Sequence, residues 1–145
     1  MRNEQILLPM LGMMVLTAVV WIVLYARRIP AMQKARKPAQ TFTTPDKCDE
    51  YLPADVNYPA YNFRNLFELP VLFYALCLYF YVTATAGTAE VFAAWLFLLF
   101  RIAHSAIHCT SNIVMARFVT YCAAALALWF MLGRAVWGVY TTSLL

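Results

Sequence analysis

The residues of this sequence that can do chemistry are ionisable side chains embedded in apolar stretches. Arg64, Asn65 and Glu68 stand at the head of one such stretch. Arg101, His104 and His108 lie in the second half of the next. Arg117 and Tyr121 open the last, and Arg134 lies near its far end. Charged groups in hydrocarbon are costly, so each is a candidate functional residue. On a helix, Arg64 and Glu68 are i,i+4, Asn65 and Glu68 i,i+3, and Arg117 and Tyr121 i,i+4, while Arg101, His104 and His108 fall at i, i+3, i+7. Three helices would thus each carry a polar stripe. Several guanidiniums against one embedded carboxylate leave positive charge over, and an unpaired charge away from water is expensive. Such a cluster calls for an anionic ligand, and Arg grips carboxylates through forked hydrogen bonds.

Each member also has a plainer reading. Arg64 and Glu68 can be an ion pair at a helix start, the two histidines interhelical hydrogen-bonders, Arg117 an interface anchor, and Arg134 a side chain that snorkels outward. A metal site is not expected, because two His at i,i+4 need further ligands and Glu68 is the one obvious candidate.

The elements that must position these residues follow from composition. Of 145 residues, 63% are hydrophobic and 12% charged, against about 45–50% and about 25% in soluble domains. Disorder, coiled coil and nucleic-acid binding fit badly, since each needs a larger polar share. The apolar runs predict four transmembrane helices, at about 6–26, 64–86, 90–109 and 116–140. A span needs about 20 residues. The first run exceeds a typical leader and its positive flank follows it, which predicts a retained helix. The chain is therefore expected to be all-α, one integral membrane four-helix bundle over 1–145. The four cysteines (Cys48, Cys77, Cys109, Cys122) show no metal spacing, and three sit in apolar runs.

The long polar connection, about 27–61, holds five prolines, too many for one continuous helix. The later links are short, which predicts that sequential helices are antiparallel neighbours. Arg27, Arg28, Lys34, Arg36, Lys37 and Lys47 concentrate in the first connection. That bias places it in the cytoplasm, with both termini on the opposite side. The compact size favours a bacterial inner membrane.

These residues carry a family resemblance. The stretch Asn62-Phe63-Arg64-Asn65-Leu66-Phe67-Glu68-Leu69-Pro70 resembles the second-helix motif of the MAPEG superfamily, membrane-associated proteins in eicosanoid and glutathione metabolism. Phe100-Arg101-Ile102-Ala103-His104 resembles its third-helix motif, and Arg117-Phe118-Val119-Thr120-Tyr121 the start of its fourth. The resemblance implies a homotrimer with glutathione as co-substrate in a cleft between subunits. Arg64, Asn65 and Glu68 would grip the tripeptide, with Arg101, His104 and His108 along the cleft wall. Arg117 would activate the thiol beside Tyr121, and a lipophilic electrophile would arrive from the bilayer. A contact from Arg27 or Arg28 to a glutathione carboxylate is a weaker implication. The chain departs from the pattern at Tyr61 and Phe63, where polar residues are usual, and at Phe118 and His108. Those departures motivate a second reading, a non-catalytic relative that binds lipid or a small anion in the same cleft. A third is a proton or ion pathway built on Glu68 and the two histidines.

Overall fold

The computed structural model describes residues 3–143. Every regular element among them is helical. A 3-10 turn (Asn3–Ile6) leads into α1 (Leu7–Lys34), and α2 (Pro45–Tyr51) and α3 (Ala54–Asn65) occupy the long connection. They are followed by α4 (Leu69–Val82), α5 (Thr88–Cys109) and α6 (Val114–Ser143). Four segments are long and apolar enough to cross a membrane: Asn3–Lys34, Ala54–Val82, Thr88–Cys109 and Val114–Thr141.

The second span is not the single helix expected over 64–86. Pro70 has no N–H for the Leu66 carbonyl, and its ring crowds that group. The chain steps out of helical geometry at Leu66–Glu68, and Glu68 caps α4 with φ −98° and ψ −107°. Pro70 then falls in the first turn of α4, where its missing donor leaves no bond unmade.

The first helix also overruns its expected end. It passes Arg27, Arg28 and Pro30 to reach Lys34. A proline inside a helix costs about 3 kcal/mol, and packing of this extension against α3 offsets it. Arg27 fastens that contact. Pro59 inside α3 cannot donate to the Asp55 carbonyl, and Arg27 Nη1 donates to that freed oxygen instead, at 3.4 Å. The same nitrogen donates at 2.7 Å to the Cys109 carbonyl at the end of α5. One side chain thus joins three helices by filling acceptors that helix geometry leaves open. Beside it, Arg28 Nη2 donates to Asn57 Oδ1 at 3.2 Å.

Close backbone packing joins α1 to α3, α4 and α5, and α6 to α4 and α5. Around the bundle the order is therefore α1, α4, α6, α5. Although only residues 83–87 separate them, α4 and α5 face each other across the diagonal rather than side by side as their short link suggested. They meet through the stacked rings of Phe73 and Phe97, 4.3 Å apart and 17° from parallel. Helix α5 is the inner helix. Val91, Ala94, Phe97, Leu98, Arg101, His104, Ser105 and His108 are all buried on it, at the spacing of one face. The outer surface is apolar along α1 and α6, with Leu11, Val15, Ile22, Leu126, Phe130 and Val136 exposed, as hydrocarbon solvent requires.

Two substitutions test this framework. Phe97→Ala should destabilise the protein by about 3–5 kcal/mol through loss of the diagonal stack, read from thermal unfolding in detergent. Ala84 holds φ 56° in the turn after α4, a conformation costing an L-residue about 1–2 kcal/mol. Ala84→Gly should raise stability by about 1 kcal/mol in the same assay.

Candidate functional site

The break between α3 and α4 builds the site. Asn65 is the last residue of α3, and its carbonyl takes only a long bond from the Glu68 N–H, at 3.4 Å, in place of the α-helical one. Arg101, on the inner face of α5 and fully buried, adds to it. Its Nη2 donates to the Asn65 carbonyl at 3.1 Å and to Asn65 Oδ1 at 2.7 Å. Asn65 Nδ2 in turn donates to Glu68 Oε2 at 2.7 Å. The positive charge of Arg101 therefore reaches the Glu68 carboxylate through the amide between them. Above the guanidinium lies the ring of Tyr121, 5.9 Å from its carbon, a cation–π distance. Nε and Nη1 of Arg101 are buried with no partner among the described residues.

His104 sits one turn along α5. Its Nδ1 lies 3.0 Å from the Arg117 carbonyl. A carbonyl only accepts, so Nδ1 carries the proton and Nε2 presents a lone pair. The His108 ring meets His104 edge to face at 5.4 Å, and Tyr121 lies 5.9 Å from His104. His104 Nε2 and both His108 nitrogens are buried without a partner among the described residues. Arg117 reaches the group from the first turns of α6. Its Nη1 donates to Asn112 Oδ1. Asn112 holds φ 52° in the turn between α5 and α6, a conformation that Asn accepts readily.

Asn65, His104, His108, Val114, Arg117, Phe118 and Tyr121 line a cavity of about 220 Å³. Of the residues singled out from sequence, Asn65, His104, His108, Arg117 and Tyr121 line it, and Arg101 lies behind them against Asn65 and Tyr121. Glu68 is exposed and joins only through Asn65, so it does not meet the histidine pair. Arg64 is exposed at the end of α3 and lies outside the cavity lining. It does not pair with Glu68 either. The salt bridges among the described residues are Lys47–Glu50 and Arg134–Glu90. The i,i+4 register that would have joined Arg64 to Glu68 is interrupted by the helix break.

Arg27 and Arg28 serve the fastening of α1 rather than the cavity. Arg134 does not simply snorkel. Its Nε donates to Glu90 Oε1 at 2.6 Å, and Glu90 Oε2 accepts the Gly87 N–H at 3.0 Å, closing the start of α5. Tyr61 donates its hydroxyl to Asp49, and Phe63 packs edge to face on Phe67 at 5.1 Å. Neither lines the cavity.

Sequence reasoning passed over two positioning residues. Asn112 anchors Arg117. Asn62 is fully buried, accepts from Ser105 Oγ at 3.3 Å and donates to Cys109 Sγ at 3.4 Å, which fixes α3 against α5. The signal for Asn112 was an Asn at a turn between helices, where the left-handed conformation is common. Asn62 gave one too, an amide three residues before Asn65 on the same face.

No curated protein matches the chain significantly. The family model described as MAPEG family matches residues 6–137, nearly the whole bundle and every residue of the cavity. An integral membrane protein of four apolar spans, with its polar cluster held between α3, α5 and α6, the chain belongs to the MAPEG family.

Proposed function

We propose that the protein is a membrane-embedded glutathione-dependent transferase or peroxidase that acts on a lipophilic electrophile from the bilayer. The observation that carries this reading is the cavity where Arg117 and Tyr121 of α6 face His104 and His108 of α5, with buried imidazole nitrogens that have no partner among the described residues. Free thiols ionise near pH 8.5, and a guanidinium beside the sulfur favours the thiolate. Arg117 has this role, with Asn112 fixing its direction and Tyr121 beside the sulfur. Asn65, Arg101 and the histidines hold the peptide portion, and Glu68 and Arg64 meet its charged ends from the rim. In conjugation the thiol gives up its proton, the thiolate forms a bond to the electrophilic carbon, and the leaving group departs with the bonding pair. In peroxide reduction two thiols become a disulfide while the hydroperoxide becomes alcohol and water. Positioning and thiolate stabilisation supply most of the rate.

A cavity of about 220 Å³ is smaller than the roughly 300–1,000 Å³ usual for a ligand site. This supports a site completed by a neighbouring copy, in the homotrimer that the family resemblance implies. The basic first connection supports a cytoplasmic position for this end, in a bacterial inner membrane with both termini on the far side. The alternative reading is a non-catalytic relative that holds lipid or a small anion in the inter-subunit cleft. Tyr61 and Phe63 favour it, because each is engaged elsewhere and brings no polar contact to the cavity.

The test is turnover of purified protein with glutathione and an aromatic halide or a lipid hydroperoxide. Arg117→Ala should lower kcat by about 10²-fold, the scale of losing one group that stabilises developing charge. Wild-type protein that neither turns over nor gains thermal stability from glutathione would defeat the enzymatic reading; retained lipid that glutathione does not displace would favour the alternative. Asn112→Gly keeps the left-handed turn but removes the anchor. It should lower kcat while leaving KM for glutathione nearly unchanged, with the fold intact by circular dichroism.

A further inference from the structure

Three ring nitrogens beside the histidine cavity have no partner among the described residues: Nε2 of His104 and both nitrogens of His108. The two side chains are 4% and 7% exposed, so bulk water does not serve them. His104 Nδ1 gives its proton to the Arg117 carbonyl at 3.0 Å, which leaves Nε2 a bare lone pair. A neutral His108 has one N–H and one lone pair. Together the rings hold two lone pairs and a single N–H, a surplus of acceptors.

Their charged surroundings are cationic. Arg101 lies one turn earlier on α5, and Arg117 approaches from α6. Tyr121 stands 5.9 Å from His104, and Asn65, at the end of α3, is neutral. No carboxylate is among the described residues of the lining. A proton can settle on such a pair only if negative charge arrives with it. A thiol brings both, the proton on its sulfur and the anion left when that proton departs.

We propose that the histidine pair removes the thiol proton, with His104 Nε2 as the base and His108 as the exit. This rests on the glutathione reaction proposed above. The S–H bond breaks, its electron pair stays on sulfur, and the proton forms an N–H bond at His104 Nε2. The Arg117 carbonyl steadies the imidazolium through Nδ1–H, while the Arg117 guanidinium holds the thiolate. One residue thus serves both products of the ionisation. Like charge from Arg101 and Arg117 keeps the proton from resting on His104. The His108 ring, edge to face at 5.4 Å, lies in the last turn of α5. It accepts the proton on one nitrogen and releases the one held on the other to water at the end of the bundle.

The experiment mixes the full chain in detergent rapidly with glutathione. Thiolate is followed by its ultraviolet absorbance, and the released proton by an indicator dye in weak buffer. His104→Asn puts an amide N–H near the place of Nδ1, keeping a donor for the Arg117 carbonyl but no base. It should slow thiolate formation by about 10²-fold, the low end of general-base effects, with stabilisation by glutathione retained. In His104→Ala, added imidazoles should restore the rate in the order of their basicity, which a purely structural histidine does not allow. His108→Gln should leave thiolate formation at the wild-type rate and delay the indicator signal by about 10²-fold. Unchanged thiolate formation in both His104 variants, with glutathione still bound, would overturn the relay and leave the transferase reading standing. So would loss of glutathione binding in the His104 variants that imidazole does not restore, since the ring then only holds the peptide. An undelayed indicator signal in His108→Gln overturns the exit through that ring. Wild-type protein that glutathione does not stabilise overturns both the relay and the reaction it serves.

Discussion

A guanidinium with no access to water, inside a bundle whose outer surface is made for lipid, is the constraint on which the rest of the structure depends. Arg101 cannot give up its charge, and no carboxylate among the described residues touches it. It is held instead by the end of a helix. The carbonyl and the side chain of Asn65 supply the acceptors, Tyr121 supplies a π-face, and Glu68 lies one amide away. The Asn65 and Glu68 contacts depend on the interruption at Leu66–Glu68, while Tyr121 comes from α6. A continuous helix would engage that carbonyl with the Leu69 N–H. The proline that breaks the span and the arginine that is buried in it are therefore two parts of one arrangement.

The same logic recurs at the other end of α3. Pro59 leaves an acceptor open at Asp55, and Arg27 fills it while also closing the last turn of α5. In hydrocarbon or at its border, an unfilled carbonyl costs several kcal/mol. Pro59 thus creates an acceptor that an arginine from a neighbouring helix occupies, and that arginine ties α1, α3 and α5 together. The cavity inherits its geometry from that alignment.

Much of this was legible in the residues. Apolar runs of bilayer length marked the four spans, and helical spacing put Arg101, His104 and His108 on one face, which is the face that is buried. The family resemblance and the family match agree. What the sequence hid was tertiary. Pro70 signals a boundary, but nothing local says whether a span kinks or restarts as a new helix. Arg64 and Glu68 look like partners at i,i+4 until the break removes their common face. Glu90 and Arg134 are 44 positions apart, and only the packing of α5 against α6 brings them together. The diagonal placement of α4 and α5 was equally invisible, because a short link limits distance without naming neighbours.

That crossing link bears on biogenesis. Synthesis delivers α1, α3 and α4 to the membrane as a first half whose members already touch, whereas α5 and α6 pack tightly as a later hairpin. Until the hairpin arrives, the Asn65 amide and the end of α3 have no cation to receive. Insertion of α5 brings that cation and an aromatic ring that stacks across the middle of the bundle. The two halves are thus joined by one polar latch and one apolar latch at different depths, and a nascent chain halted before α5 lacks both.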